Sequence, residues 1–141
     1  MENYNSYKAI LLGEKIGSGC FRDVYECKLN DKYVVKVMRD DAIDTFANVM
    51  EWKIWEEIQD YKTMSKWFAP CEFITDDGKV LIQHKVRIRD IEKYPKKVPT
   101  FFTDIKQDNF GFIGKQLVCF DYNTTILTKN WNAKTLKNAN F

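Results

Sequence analysis

The sequence predicts an α+β domain built on a five-stranded antiparallel sheet and one helix. Three observations carry that expectation. Short β-branched segments separated by tight turns open the chain, one apolar stripe at helical spacing follows the third of them, and a strong hairpin signal follows the helix.

Residues 8–16 read as a first strand ending at Gly17-Ser18-Gly19, and residues 21–29 alternate well enough for a second. Asn30-Asp31 signals a turn before the β-branched third strand, Tyr33–Met38. From Ile43, the apolar residues Phe46, Ala47, Met50, Ile54, Ile58 and Tyr61 recur mostly at three- and four-residue steps and mark the buried face of a helix. Asp41 or Asp44 is expected to supply its cap or first-turn charge. Residues 70–75 and 79–86 flank Asp76-Asp77-Gly78 as a further hairpin. Beyond Val86 the chain is polar and charged as far as Lys97, and two short strands, Phe110–Ile113 and Gln116–Phe120, then meet through Gly114-Lys115. The stretch from Thr124, with Ile126, Leu127, Trp131, Leu136 and Phe141, has no clear pattern and either docks through Trp131 or frays.

Composition narrows the classes of function. A chain of 141 residues suits one domain, and 45% apolar with 15% aromatic side chains provide a core and exclude a disordered chain. The 22 basic and 20 acidic side chains leave a formal charge of +2, which calls for neither a nucleic-acid nor a membrane partner. No apolar run could span a bilayer and the first residues lack a signal-peptide pattern, so a soluble cytoplasmic chain is expected. The cysteines at 20, 27, 71 and 119 form no Cys-x-x-Cys pair, and His84 completes no familiar zinc spacing with them. Reduced thiols packed in the interior are expected.

Four signals carry chemistry. Gly17-Ser18-Gly19, between two strands and followed by Val24, is a turn whose backbone amides can approach a polyphosphate; it is also what a tight hairpin turn looks like. Lys36 lies on an apolar strand and needs an anionic partner if it points inward. Glu51 falls within the apolar helical stripe and can be that partner, while Glu57, near the stripe's other edge, stays open on periodicity alone. In Asp104-Ile105-Lys106-Gln107-Asp108-Asn109, an acid, a lysine and an amide can converge if the segment is a compact loop. Asp121 ends an apolar strand, where a carboxylate suits a hard cation.

In this order the signals resemble the protein-kinase superfamily, especially compact kinase-like proteins of bacteria and phages, over roughly residues 10–123. The resemblance implies a kinase-like N-lobe (1–86), a segment holding the hinge, catalytic loop and metal-binding hairpin (87–123), a tail (124–141), and a strongly reduced C-lobe, all in one domain. It implies ATP and Mg²⁺ as cofactors, with Gly17, Ser18, Gly19 and Val24 in the glycine-rich loop and Lys36 on the phosphates. The pattern Asn48-Val-Met-Glu51 favours Glu51 over Glu57 as the partner of Lys36. Gln83, His84 and Lys85 fall near the adenine-binding hinge. Asp104 and Lys106 take catalytic roles, and Asn109 and Asp121 hold the metal, the whole set meeting around one triphosphate.

The departures from the pattern bear on activity. Arg22 replaces the third glycine, which stiffens the loop or brings a guanidinium to phosphate. Phe102-Thr103 replaces the usual His-Arg, Asn123 replaces the final glycine after Asp121, and no Ala-Pro-Glu segment follows. Too few residues separate Val86 from Asp104, or follow Asp121, to build the usual helical lobe. Two expectations result. One is an ATP-dependent phosphotransferase acting on a protein hydroxyl, in the host cytoplasm if the source is viral. The other is a pseudokinase-type module that binds a protein without catalysis and, lacking the substrate lobe, needs a partner or a second copy of itself.

Overall fold

The computed structural model describes residues 6–125 and 133–141, and the chain divides into two compact units. The first is built from the residues up to Trp52 together with Cys71–Lys85; the second takes Lys53–Pro70 and the residues from Val86 onward.

In the first unit, helix α1 (Ser6–Leu11) runs directly into β1 (Leu12–Ser18), followed by β2 (Arg22–Cys27) and β3 (Tyr33–Met38). A 3-10 turn (Asp40–Thr45) precedes helix α2 (Ala47–Ile58), whose residues from Lys53 belong to the second unit, and β4 (Cys71–Ile74) and β5 (Val80–His84) close the first. The sheet is five-stranded, in the order β1-β2-β3-β5-β4, and every neighbouring pair is antiparallel. The α+β class and the antiparallel five-stranded sheet thus hold as expected. Gly78 makes the β4–β5 turn possible. Its φ is +73°, and a Cβ there would lie 2.5 Å from Cγ2 of Val49.

Register decides which side chains share a face. Val24 pairs with Lys36 and Lys36 with Leu81, so Arg22, Val24, Lys36, Met38, Leu81 and Gln83 line one face of the sheet. Helix α2 packs there, as its hydrogen bonds to Arg22, Lys36 and Gln83 show. The opposite face carries Cys27, Val35 and Val80, against which Tyr7 and Leu11 of α1 pack.

Several expectations need correction. Residues 8–11 are helical, not the start of a strand, because Tyr7 and Leu11, four apart, cover that apolar cluster. Asp41 and Asp44 sit in the 3-10 turn, not the first turn of α2, because Phe46 adopts a left-handed conformation (φ 57°) that separates the two. The buried face of α2 is Ala47, Asn48, Glu51, Ile54 and Ile58, while Phe46, Met50 and Tyr61 are exposed. Polar groups occupy the centre of that face, so the apolar count alone mislocated it. Cys27, Cys71 and Cys119 are buried free thiols, but Cys20 is exposed.

The second unit has an aromatic core. It contains α3 (Lys62–Ser65), β6 (Lys97–Pro99), β7 (Phe110–Ile113), β8 (Gln116–Cys119) and β9 (Leu136–Asn138). Strands β7 and β8 form the expected hairpin, with Gly114 at φ +62° in its turn. Phe68 meets Phe101, Phe102 and Tyr122 at ring-centroid distances of 5.7, 5.2 and 4.9 Å, and Phe102 meets Phe110 at 5.0 Å. The Tyr122 hydroxyl donates to the Ala69 carbonyl at 2.8 Å, which satisfies its polar tip inside that core. Residues 97–99 and 136–138, unassigned from sequence, pair as an antiparallel two-stranded sheet, and Phe141 packs on Tyr94 and Phe110. Ile126, Leu127 and Trp131 of the tail lie outside the described residues. No helix among the described residues is long and apolar enough to cross a membrane.

Candidate functional site

The first unit buries a charged cluster on the α2 face of its sheet. Lys36, 3% exposed, points inward from β3, and its Nζ lies 2.6 Å from Oε1 of Glu51, which is fully buried. Glu57 is exposed. Lys36 and Glu51 thus form the ion pair that an inward lysine requires.

Glu51 has a second cation that the sequence did not announce. Arg22, the first residue of β2, donates Nη1 to Oε1 and Nη2 to Oε2 of Glu51, both at 3.2 Å. Its Nη1 also reaches Oδ1 of Asn48 at 3.2 Å. Asn48 in turn donates Nδ2 to the Lys36 carbonyl at 3.0 Å, tying α2 to β3. Gln83 adds an Nε2 donor to Glu51 Oε1 at 3.1 Å. Arg22 therefore does not stand at the tip of the glycine turn; its guanidinium is committed to Glu51. A period of two from Val24 along β2, and of three from Glu51 along α2, would have placed Arg22 and Asn48 on the shared face. Burial pushes the Glu51 carboxyl up, but Arg22 and Lys36 outweigh it and hold the pKa at about 2.

The glycine turn differs in detail from the expectation. Gly17 and Ser18 already belong to β1, paired with Val24 and Asp23, and the turn proper closes from the Gly19 N–H to the Arg22 carbonyl at 2.8 Å. Ser18 Oγ donates to Asp23 Oδ1 at 2.7 Å, and that bond, with Lys15 and Arg39 nearby, holds the Asp23 carboxyl below its ordinary value. Neither Gly17 nor Gly19 has a positive φ, and a Cβ at either would meet nothing closer than 3.8 Å. The fold itself does not require glycine at these positions.

Gln83, His84 and Lys85, expected near the hinge, make contacts within the first unit. Gln83 is fully buried on Glu51 and Cys71, the latter at 3.8 Å from Nε2 to Sγ. His84 meets Tyr33 edge-on, with ring centroids 5.5 Å apart. Lys85 holds Glu26 at 2.6 and 2.8 Å, and its N–H donates to the Lys32 carbonyl at 2.8 Å. Gln83 is thus engaged with α2 and β4, His84 with β3 and Lys85 with β2. A groove of about 1090 Å³ on this unit is lined by Tyr25, Val37 and Ile82, which lie on the face opposite Lys36, so it is no part of this cluster.

The second unit forms the loop at 104–109. Asn109 donates Nδ2 to both the carbonyl and Oδ2 of Asp104 at 3.0 Å, and Lys106 Nζ lies 3.8 Å from the same Oδ2. Asp104 and Lys106 are exposed while Asn109 is 4% exposed, so a buried amide anchors an open acid and base. Among the described residues nothing donates to Asn109 Oδ1. The Phe120 N–H donates to the Asn109 carbonyl at 2.9 Å and Phe110 pairs with Cys119, so Asn109 and the exposed Asp121 lie at the same open end of the β7–β8 hairpin. An amide oxygen and a carboxylate are hard donors that suit Mg²⁺, which keeps several waters and phosphate oxygens of its own. Among the described residues no group of three or more His, Cys, Asp or Glu side chains is placed to hold a metal ion. No protein-family model matches the chain, and no curated protein matches its sequence.

Proposed function

We propose that the chain is a minimal protein-kinase-like protein that binds Mg·ATP and transfers the γ-phosphoryl group to a protein hydroxyl. The observation that carries this reading is the buried Lys36–Glu51 ion pair, 2.6 Å long, on one face of an antiparallel sheet whose first strand ends in Gly17-Ser18 and whose first turn opens at Gly19. Such a pair is a poor way to stabilise a small core, since apolar residues of similar volume do as well or better. Its retention is explained if Lys36 serves an anion. The glycines add to this: the fold does not call for them, whereas close approach of a polyphosphate to backbone amides does.

On this reading Lys36 binds the phosphates and Glu51 orients it. Asn109 and Asp121 hold Mg²⁺, which when bound spreads the charge of the transferring group. Asp104 orients the acceptor hydroxyl and takes up its proton, and Lys106 offsets negative charge beside it. The test is thermal unfolding with Mg·ATP at about a hundred times its Kd, which should raise stability by roughly 2.7 kcal/mol. Transfer of label from γ-labelled ATP should then be lost in Lys36→Met and Asp104→Asn. No shift with any nucleotide sinks the reading.

A second reading, a binding module without turnover, is favoured by the commitment of Gln83, His84 and Lys85 to contacts within the first unit. It predicts a protein complex whose affinity is unchanged by Asp104→Asn and no label transfer in the wild type.

A further inference from the structure

We infer that Arg22 is a positioning residue that docks α2 on the sheet before any ligand arrives, so that the Lys36–Glu51 pair is assembled at all times. Its consequence for phosphoryl transfer rests on the nucleotide reading above; the docking itself does not.

The geometry is that of a clamp. A carboxylate held only by Lys36 would be stranded, buried and unpaired, whenever the ammonium turned toward another anion. Arg22 prevents this. Its guanidinium spans both oxygens of Glu51 at 3.2 Å, so the glutamate keeps a counterion while Lys36 changes partners. The same Nη1 reaches Asn48 Oδ1, and Asn48 bonds the Lys36 carbonyl, so one turn of α2 is joined to β2 and β3 together. A lysine at position 22 has a single point of contact and cannot make the fork. The side chains that bond Glu51 are charged on β2 (Arg22) and β3 (Lys36) and neutral on β5 (Gln83); beyond Gln83 stands the Cys71 thiol of β4, and Asn48 is the neutral neighbour on α2 itself. Arg22 and Lys36 are the two cations that lower the pKa of Glu51 against its burial. Helix docking here is a fixed property of the unit, not a response to ligand.

Hydrogen–deuterium exchange across Asn48–Ile54, in the full chain with and without Mg·ATP, tests this. The wild type should be protected at least about a hundredfold without nucleotide and change by less than about twofold when it is added. Arg22→Met should lose at least about tenfold of that protection at neutral pH, and should lose less than the wild type as pH falls from about 4.5 towards 2, because Glu51 then has one cation. Arg22→Lys should recover only part of it, and takes the place of Arg22→Met if that variant does not fold. Protection in the wild type that appears only with nucleotide overturns the proposal, as does Arg22→Lys indistinguishable from wild type. If nucleotide does not bind at all while α2 is protected and Arg22-dependent, the proposal stands and the nucleotide reading falls.

Discussion

Glu51→Gln should be far more damaging to stability than removal of either cation that binds it. The carboxylate is fully buried and takes Arg22 through both oxygens and Lys36 through one. Removing one partner of a buried pair costs about 3–5 kcal/mol, because the other charge is left uncompensated. Glu51→Gln takes the carboxylate from two buried cations at once and should reach the top of that range, about 5 kcal/mol. In Arg22→Met or Lys36→Met the carboxylate keeps one cation and the Gln83 amide, so about 1–3 kcal/mol is expected for each. Against a total of about 5–15 kcal/mol for a domain, the first change is close to unfolding and the others are not.

Urea unfolding followed by circular dichroism measures all three, and acid titration supplies an independent check. The folded pKa of Glu51 is held at about 2, against 4.5 for the free group. The folded value is depressed, so the unfolded chain binds more protons in that window, and the stabilisation is complete above about pH 4.5 and lost as pH falls towards 2. The gap corresponds to about 3 kcal/mol. Arg22→Met should lose less across the same range, because its Glu51 starts nearer the ordinary value. Equal destabilisation by all three variants, or a wild type flat to pH 2, would refute the reasoning: the cluster would not be a charged unit centred on Glu51.

Gly17→Ala and Gly19→Ala should leave the urea midpoint within about 0.5 kcal/mol of wild type, since neither Cβ meets a close neighbour, yet weaken Mg·ATP binding measured by calorimetry. Gly78→Ala should cost more than about 1 kcal/mol in the same unfolding assay, because φ is +73° and the new Cβ would stand 2.5 Å from Val49. Tyr122→Phe should cost about 1–2 kcal/mol, as the buried Ala69 carbonyl loses its donor at 2.8 Å. A Tyr122→Phe variant as stable as wild type would mean that water replaces the hydroxyl there.

What the sequence made legible was local chemistry. Tyr33–Met38 reads as a strand because three of its six side chains are β-branched valines, and it is one to the residue. The hairpin at Asp76-Asp77-Gly78 follows from a turn that only glycine completes. The Lys36–Glu51 pair was legible only in part: an inward lysine must find an anion, but periodicity left Glu51 and Glu57 open, and the pattern Asn48-Val-Met-Glu51 chose between them. What stayed hidden depended on contacts distant in sequence. Strands β6 and β9 are three residues each, too short for a period to show, and Lys97 pairs with Asn138 across most of the second unit's chain. Arg22 was hidden for another reason. It stands where a loop glycine was expected, and only the closure of the turn at Gly19 turns it into a strand residue facing α2.

That displacement changes what the buried cluster does. A lone Lys–Glu pair on a sheet is a contact that a competing anion can break, and its breaking would release the helix. With the guanidinium of Arg22 on the same carboxylate, α2 is held to the sheet by two cations, on β2 and on β3. A bidentate arginine braces the helix from within the sheet that carries the lysine. The cost is a second buried charge. It is offset because both cations share one anion whose oxygens the fork, the ammonium and the Gln83 amide bond together.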